Sequence, residues 1–295
     1  AALDYLNALV GDGADTKLHE IFISAGPEML EYLERHTDLR WLMYDVQPDY
    51  DQKLPGATTG GRALMPLPFD GRTLGKEFER LREPIPELML FGAMMITRGE
   101  AARLLKIGRN LDSFLLGAKL CGRYLRDRLR YSRGTRLVLG NALVAHLFKN
   151  LVERQATIFY NGRTTRLISH NGCACGLVVQ RDGTELYVRA KNGIVLAGGG
   201  FPASSELRER YFPKPVAQYT SAFEGCTGDT LLLAQEIGAS LGPSGEDNAL
   251  WFPSSIATRK NGSTAVYPHI VLDRAKPGLI AVNSNGRRFT DEASS

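Results

Sequence analysis

An apolar run, Ile194-Val195-Leu196-Ala197, passes directly into Gly198-Gly199-Gly200 and then Phe201-Pro202. A short apolar run of this kind reads as a buried parallel strand. Consecutive glycines at its carboxyl end let a ligand approach the backbone closely, at the edge where open α/β sheets bind their ligands. Glycine runs also serve plain strand-to-helix connections, so the segment by itself constrains the fold more than the chemistry.

The remaining chain is ordinary globular protein. It has 295 residues, 43% hydrophobic and 23% charged, with 36 Lys+Arg against 32 Asp+Glu and a net charge of +4. Such values exclude disorder and collagen, and the length predicts about two domains. No apolar run approaches the ~20 residues of a membrane helix; the best, from Leu88 to Ile96, is interrupted by Gly92. The four cysteines contain no CxxC pair and the five histidines no HExxH, so no metal is expected. Few cysteines in a long chain fit a reducing, cytoplasmic location. The densest basic stretch holds Arg123, Arg126, Arg128, Arg130, Arg133 and Arg136. Asp127 breaks it, and Leu120, Tyr124 and Leu125 give it an apolar face at helical spacing. It therefore reads as the solvated side of a packed helix, and a nucleic-acid or scaffold role is the weaker alternative.

Apolar residues from Leu3 to Leu33 fall at three- and four-residue intervals, which predicts helices, with a restart at Ser24-Ala25-Gly26-Pro27. Prolines and glycines from Asp45 to Gly75 predict a long loop region. Thr97-Arg98-Gly99-Glu100 has capping-box spacing ahead of a helix to about Tyr131. Strand, helix and strand at 136–139, 142–152 and 156–160 predict a parallel βαβ unit. Runs at 165–168, 175–180 and 185–188, separated by Asn171-Gly172 and Asp182-Gly183, predict an antiparallel meander. The fold class is thus α/β with an inserted antiparallel sheet.

Two further segments carry possible chemistry. In Thr227-Gly228-Asp229-Thr230, Thr227 or Asp229 can cap a helix that Gly238 ends, and its N-terminus can face a cofactor. In Val282-Asn283-Ser284-Asn285-Gly286-Arg287-Arg288-Phe289-Thr290-Asp291-Glu292, Asn285-Gly286 predicts a hairpin and Thr290 onward a helix start. The two arginines there read first as structural ion pairs.

Gly140-Asn141-Ala142-Leu143, Ile194 to Phe201, Thr227-Gly228-Asp229 and Val282-Asn283 with Gly286-Arg287-Arg288-Phe289 and Glu292 occur in one register. With them the chain resembles, from Ala1 to Ser295, flavoproteins of the fumarate reductase and 3-ketosteroid dehydrogenase superfamily. The resemblance implies a Rossmann-like, glutathione-reductase-type FAD-binding domain over residues 1–245. It implies the start of an α+β catalytic (cap) domain over 246–295. It also implies FAD contacts at Ala197, Gly198, Gly199, Gly200, Asp229 and, through backbone groups, Thr164.

The strand-GxGxxG-helix that holds the FAD pyrophosphate is absent from this sequence, and the chain begins with Ala1. A truncated, internal fragment of a longer protein is therefore expected, inactive alone. Trp251-Phe252-Pro253 stands where fumarate-type enzymes carry a histidine, and an aromatic pair suits an apolar ring. Arg274-Ala275-Lys276-Pro277-Gly278 also resembles the steroid group. The substrate-pocket candidates are thus Trp251, Phe252, Tyr267 and Arg274, although Tyr267 reads first as a packing residue. The implied reaction is flavin-dependent dehydrogenation of a 3-keto steroid ring, its tyrosine base expected just after Ser295. The alternative is a fumarate-type or other enone or enoate reductase, and the electron acceptor stays open.

Overall fold

The computed structural model describes residues 1–11, 15–242, 244–245, 248–269 and 278–292. They form mixed helices and small antiparallel sheets in two compact units, Ala1–Ala156 with Ala275–Ser295, and Thr157–Arg274.

In the first unit, the apolar spacing near the start produces α1 (Ala2–Val10) and α2 (Thr16–His36). Asp15 caps α2 by accepting the Lys17 N–H at 2.9 Å. The expected restart at Ser24 does not occur. The helix runs through Pro27, and the Ser24 hydroxyl donates to Ile21 O at 3.2 Å within the same helix. Proline removes one N–H from a 21-residue ladder, and the neighbouring turns carry the helix past it.

The loop region contains more order than its composition predicts. β1 (Trp41–Met43) pairs antiparallel with β2 (Leu64–Pro66), and β3 (Phe69–Asp70) leads into 3-10 turns over Gly71–Arg80. Arg62 ties the intervening loop together, donating to Asp49 Oδ2 and to Gly56 O, each at 2.6 Å.

The capping box forms as the spacing predicts. Thr97 Oγ1 accepts the Glu100 N–H at 3.3 Å, and Glu100 Oε2 accepts the Thr97 N–H at 2.8 Å, opening α3 (Arg98–Leu104). The helix does not continue to Tyr131. Asn110 accepts the Asp112 N–H at 2.9 Å and caps a separate α4 (Leu111–Arg128), because its side chain satisfies a backbone donor that a continuous helix would use internally. On α4 Leu120 is buried and Tyr124 half-buried, as the apolar spacing predicts, but Leu125 is 66% exposed, and Arg123 is half-buried with its Nη2 2.9 Å from Asp70 Oδ1. The apolar face read from the sequence holds at Leu120 and Tyr124 and is corrected at Leu125, and Arg123 leaves the solvated side to which the arginines are assigned.

The parallel βαβ unit is also corrected. β4 (Arg136–Leu137) precedes α5 (Leu139–Glu153), but it pairs antiparallel with β3, Phe69 opposite Leu137. Residues 156–160 form no strand. Gln155 and Asn161 take φ of 54° and 56°, so turns bound the run at both ends. Phe69, Phe78, Met95, Leu137, Val138, Ala142 and Ala145 make the core here. Gly278–Glu292 belongs to this unit: Asn285-Gly286 does turn the chain, with Asn283 N–H donating to Arg287 O at 2.9 Å. No helix starts at Thr290 among the described residues; Glu292 instead accepts from Arg288 Nη2 at 2.6 Å. The arginine is thus a structural ion pair, as its acidic neighbours imply.

In the second unit, β5 (Arg163–His170), β6 (Cys173–Arg181) and β7 (Thr184–Arg189) form the expected meander. Both hairpins use the predicted dipeptides: Asn171 and Gly172 have φ of 50° and 77°, Asp182 and Gly183 49° and 78°. Positive φ at both turn positions matches the twist of the flanking strands. α6 (Ser205–Tyr211), α7 (Asp229–Glu236) and a hairpin of β8 (Ser254–Thr258) with β9 (Thr264–Pro268) complete it.

Candidate functional site

The glycine segment is not a strand in the described structure. Ile194–Gly199 makes no hydrogen bond with any described residue, and Val195 is 90% exposed. An apolar run with the composition of a buried strand is thereby left with bare N–H and C=O groups and a bare apolar face. This corrects the expectation of a paired strand. The sequence signal was real, but its hydrogen-bonding partners are not among the described residues.

The glycines have separable reasons. A Cβ on Gly198 would stand 2.5 Å from Thr230 Cγ2, so this glycine lets the segment close against the first turn of α7. Gly199 has φ of 84°, which a side chain would strain. Gly200 O accepts the Gly228 N–H at 3.1 Å, and Gly228, at φ of 82°, leaves no room for a side chain beside Leu207 and Phe201. Gly228 is the N-cap of α7, so neither Thr227 nor Asp229 caps it as predicted. Instead Thr227 Oγ1 donates to Asp229 Oδ1 at 2.8 Å, because the left-handed Gly228 takes the cap position between them.

Asp229 also meets the meander. Its Oδ2 lies 3.6 Å from Arg163 Nη2 on β5, next to Thr164, which pairs with Val179 of β6. One end of the second unit thus holds Ala197 through Gly200, Asp229 and Thr164 around an exposed stretch of unpaired backbone. The donor set suits a flat group with apolar faces and polar edges, which would be held by the apolar side chains of Val195 and Leu196 and by backbone N–H and C=O groups that no described residue satisfies.

Past Gly200 the same unit holds a cavity of about 600 Å³. Trp251 and Phe252 line it with Phe201, Phe212, Tyr219 and Ile256. The rings interlock, with centroids 5.4 Å apart for Phe201 and Phe212 and 5.3 Å for Phe212 and Trp251. Arg208 is the one cation of the lining among the described residues, and its Nη1 donates to Ala217 O at 2.8 Å and Gln218 O at 3.2 Å. The volume and apolar wall suit one medium-sized hydrophobic molecule.

Tyr267 is not part of this lining. Its neighbour Val266 is, and alternation along β9 turns Tyr267 to the other face, against the ring of His269 at 5.2 Å. Arg274 lies outside the described residues. Phe212 and Tyr219 were missed by the sequence reading. Tyr211-Phe212-Pro213, an aromatic pair closing a short helix, was the available signal.

Comparison with known proteins agrees with this architecture. The FAD binding domain family matches residues 1–295. The 4-oxocyclohex-2-ene-1-carboxylate 5-dehydrogenase of Sinomonas cyclohexanicum is 30% identical over 98% of the chain and 49% of its own length. The 3-oxosteroid 1-dehydrogenase of Mycobacterium tuberculosis (strain ATCC 25618 / H37Rv) is 30% identical over 99% of the chain and 51% of its own length. A crystal structure of 3-ketosteroid delta1-dehydrogenase from Sterolibacterium denitrificans, in complex with 1,4-androstadiene-3,17-dione, superposes with a TM-score of 0.86 at 32% identity. It covers 99% of this chain and 52% of that one. The chain spans about half the length of these relatives.

Proposed function

The chain belongs to the FAD binding domain family, and from that membership we propose that it works in a flavin-dependent dehydrogenase acting on a 3-ketosteroid-like ring. The bound flavin supplies a hydride acceptor, so that two hydrogens can leave adjacent carbons of the ring. The aromatic cavity carries this reading: Trp251, Phe252, Phe201 and Phe212 take up a flat apolar molecule and exclude water from it.

Within the same proposal, residues 1–245 form the Rossmann-like, FAD-binding part and residues 246–295 open the catalytic cap. Ala197, Gly198, Gly199 and Gly200 offer backbone groups to the flavin, Thr164 meets the adenosine part through its backbone, and Asp229 stands on the flavin side, oriented by Thr227 and Arg163. The proton acceptor is a tyrosine other than Tyr267, which β9 directs away from the cavity.

The relative acting on 4-oxocyclohex-2-ene-1-carboxylate marks a second substrate class, a small oxo-acid. Among the described residues the cavity offers one cation, Arg208, whose Nη1 is engaged by two carbonyls and whose Nε is buried without a partner; against a lining otherwise without charge, this favours the apolar ring over a small oxo-acid or a fumarate-type dicarboxylate. The test is turnover of the flavin-loaded protein with an artificial electron acceptor. A 3-ketosteroid is expected to exceed 4-oxocyclohex-2-ene-1-carboxylate in kcat/KM by about a hundredfold, the worth of roughly two buried isopropyl-sized groups. Preference for the carboxylate, or reduction of fumarate without steroid oxidation, would replace the proposal.

A further inference from the structure

A second cavity, of about 480 Å³ and wholly within the first unit, lies between α4, Glu100 of α3 and Arg136 of β4. Lys119, Arg123 and Arg126 enter it from one face of α4 at i, i+4 and i+7 spacing, and Arg136 enters from the opposite wall. Glu100 is the only acid of the lining among the described residues.

The four cations fall into two pairs. Arg136 is spoken for: its Nη2 lies 2.8 Å from Glu100 Oε1, and its Nη1 donates to Met95 O at 2.9 Å. Arg123 is half satisfied: its Nη2 lies 2.9 Å from Asp70 Oδ1, yet neither that nitrogen nor Nε has an aligned hydrogen bond although both are buried. Lys119 and Arg126, both exposed, have no carboxylate within ion-pair distance among the described residues.

From this arrangement we propose that the cavity is a binding site for a phosphate group. Glu100 balances Arg136, and Asp70 with Asp127, 3.8 Å from Nε, balance Arg123, so the unbalanced charge is that of the two cations at the mouth, Lys119 and Arg126. A phosphate monoester carries roughly −1.5 to −2 charges and three acceptor oxygens, which several converging donors can share. Guanidinium forks match its geometry. Leu116, on the same face of α4, gives the organic part an apolar surface beside the anion. The phosphate monoester can come from a soluble phosphoester or from the headgroup of phosphatidic acid; the chemistry at the cavity is the same. This inference is independent of the steroid reading.

The experiment uses the flavin-loaded protein, so that the cofactor's own phosphate contacts are already filled. Thermal midpoints are followed while inorganic phosphate replaces chloride at constant ionic strength. Phosphate is expected to raise the midpoint. The double variant Lys119→Ala/Arg126→Ala should weaken phosphate binding by about tenfold or more, while Lys17→Ala/Lys260→Ala, which removes equal charge elsewhere, should not. Circular dichroism checks that both variants fold. A shift no larger than that of chloride, or one that the Lys119/Arg126 variant keeps, overturns the proposal. A second arm sediments the protein with phosphatidic-acid-containing or pure phosphatidylcholine vesicles. Binding confined to the anionic vesicles and lost in the same variant assigns the headgroup as source. A phosphate shift without vesicle binding assigns a soluble phosphoester.

Discussion

Asp127 is 2% exposed, and its Oδ2 accepts both the Thr135 N–H, at 3.0 Å, and the Thr135 hydroxyl, at 2.7 Å. One carboxylate oxygen thereby fixes the entry of β4 into the core. Asp127→Ala would leave two buried donors and Arg123 without this partner, at a cost of about 3 kcal/mol, read as a lower urea midpoint with unchanged slope. A loss under about 1 kcal/mol would show that the chain reaches β4 by other contacts. Asp38 is set differently. Burial pushes its carboxyl up, but hydrogen bonds from Lys149 and His146, with their charges, outweigh this and hold it below the ordinary carboxylate range. A carboxyl depressed in the folded state stabilises above its unfolded pKa of 3.8, and that stability is lost as pH falls through the lower folded value. Stability measured from neutral to acid pH should therefore fall less steeply in Asp38→Asn than in the parent; equal slopes would remove Asp38 from the acid response. Sequence did not expose either carboxylate, because each acts on residues distant along the chain or around a turn that composition does not mark.

Some elements were legible because a few adjacent residues decide them. Asn171-Gly172 and Asp182-Gly183 dictate their turns locally, and Thr97 with Glu100 dictates a helix start. Pairing of β3 with β4 was not, since the two-residue strands lie more than sixty positions apart and neither has a period to read. The meander should therefore respond to its turns: Gly183→Val forces a branched residue to φ of 78° and is expected to cost about 1–2 kcal/mol, seen as faster amide exchange in β6 and β7. Docking of the glycine segment on α7 has its own test. Gly198→Ala places a methyl against Thr230 Cγ2 and should weaken flavin retention, and Thr230→Ser, which deletes that methyl, should restore part of it. Absence of any rescue would mean that Gly198 serves something other than this contact.

Taken whole, the molecule places the residues expected at the flavin and those expected at the substrate in one unit, joined by Gly200-Phe201. The four motifs in register made the family readable, and the FAD binding domain match along the chain agrees. What could not be read was the aromatic cavity, because Phe201, Phe212 and Trp251 come from three segments that only folding assembles. If the cavity holds the ring, Trp251→Ala should raise KM for a 3-ketosteroid by about tenfold or more, from the loss of one buried aromatic, and Tyr267→Phe should leave it unchanged. Equal effects of the two would place the ring elsewhere.

The bare backbone of Ile194–Gly199 has a consequence for the cell that makes this protein. Left uncovered, an apolar stretch whose N–H and C=O groups no described residue satisfies is an adhesive edge on which copies can stack as intermolecular sheet. If flavin is the group that covers it, as proposed, the vitamin that supplies flavin acts as a solubility factor as much as a catalytic one. Protein produced under riboflavin limitation is expected in inclusion bodies, and riboflavin supplied during synthesis should return it to the soluble fraction.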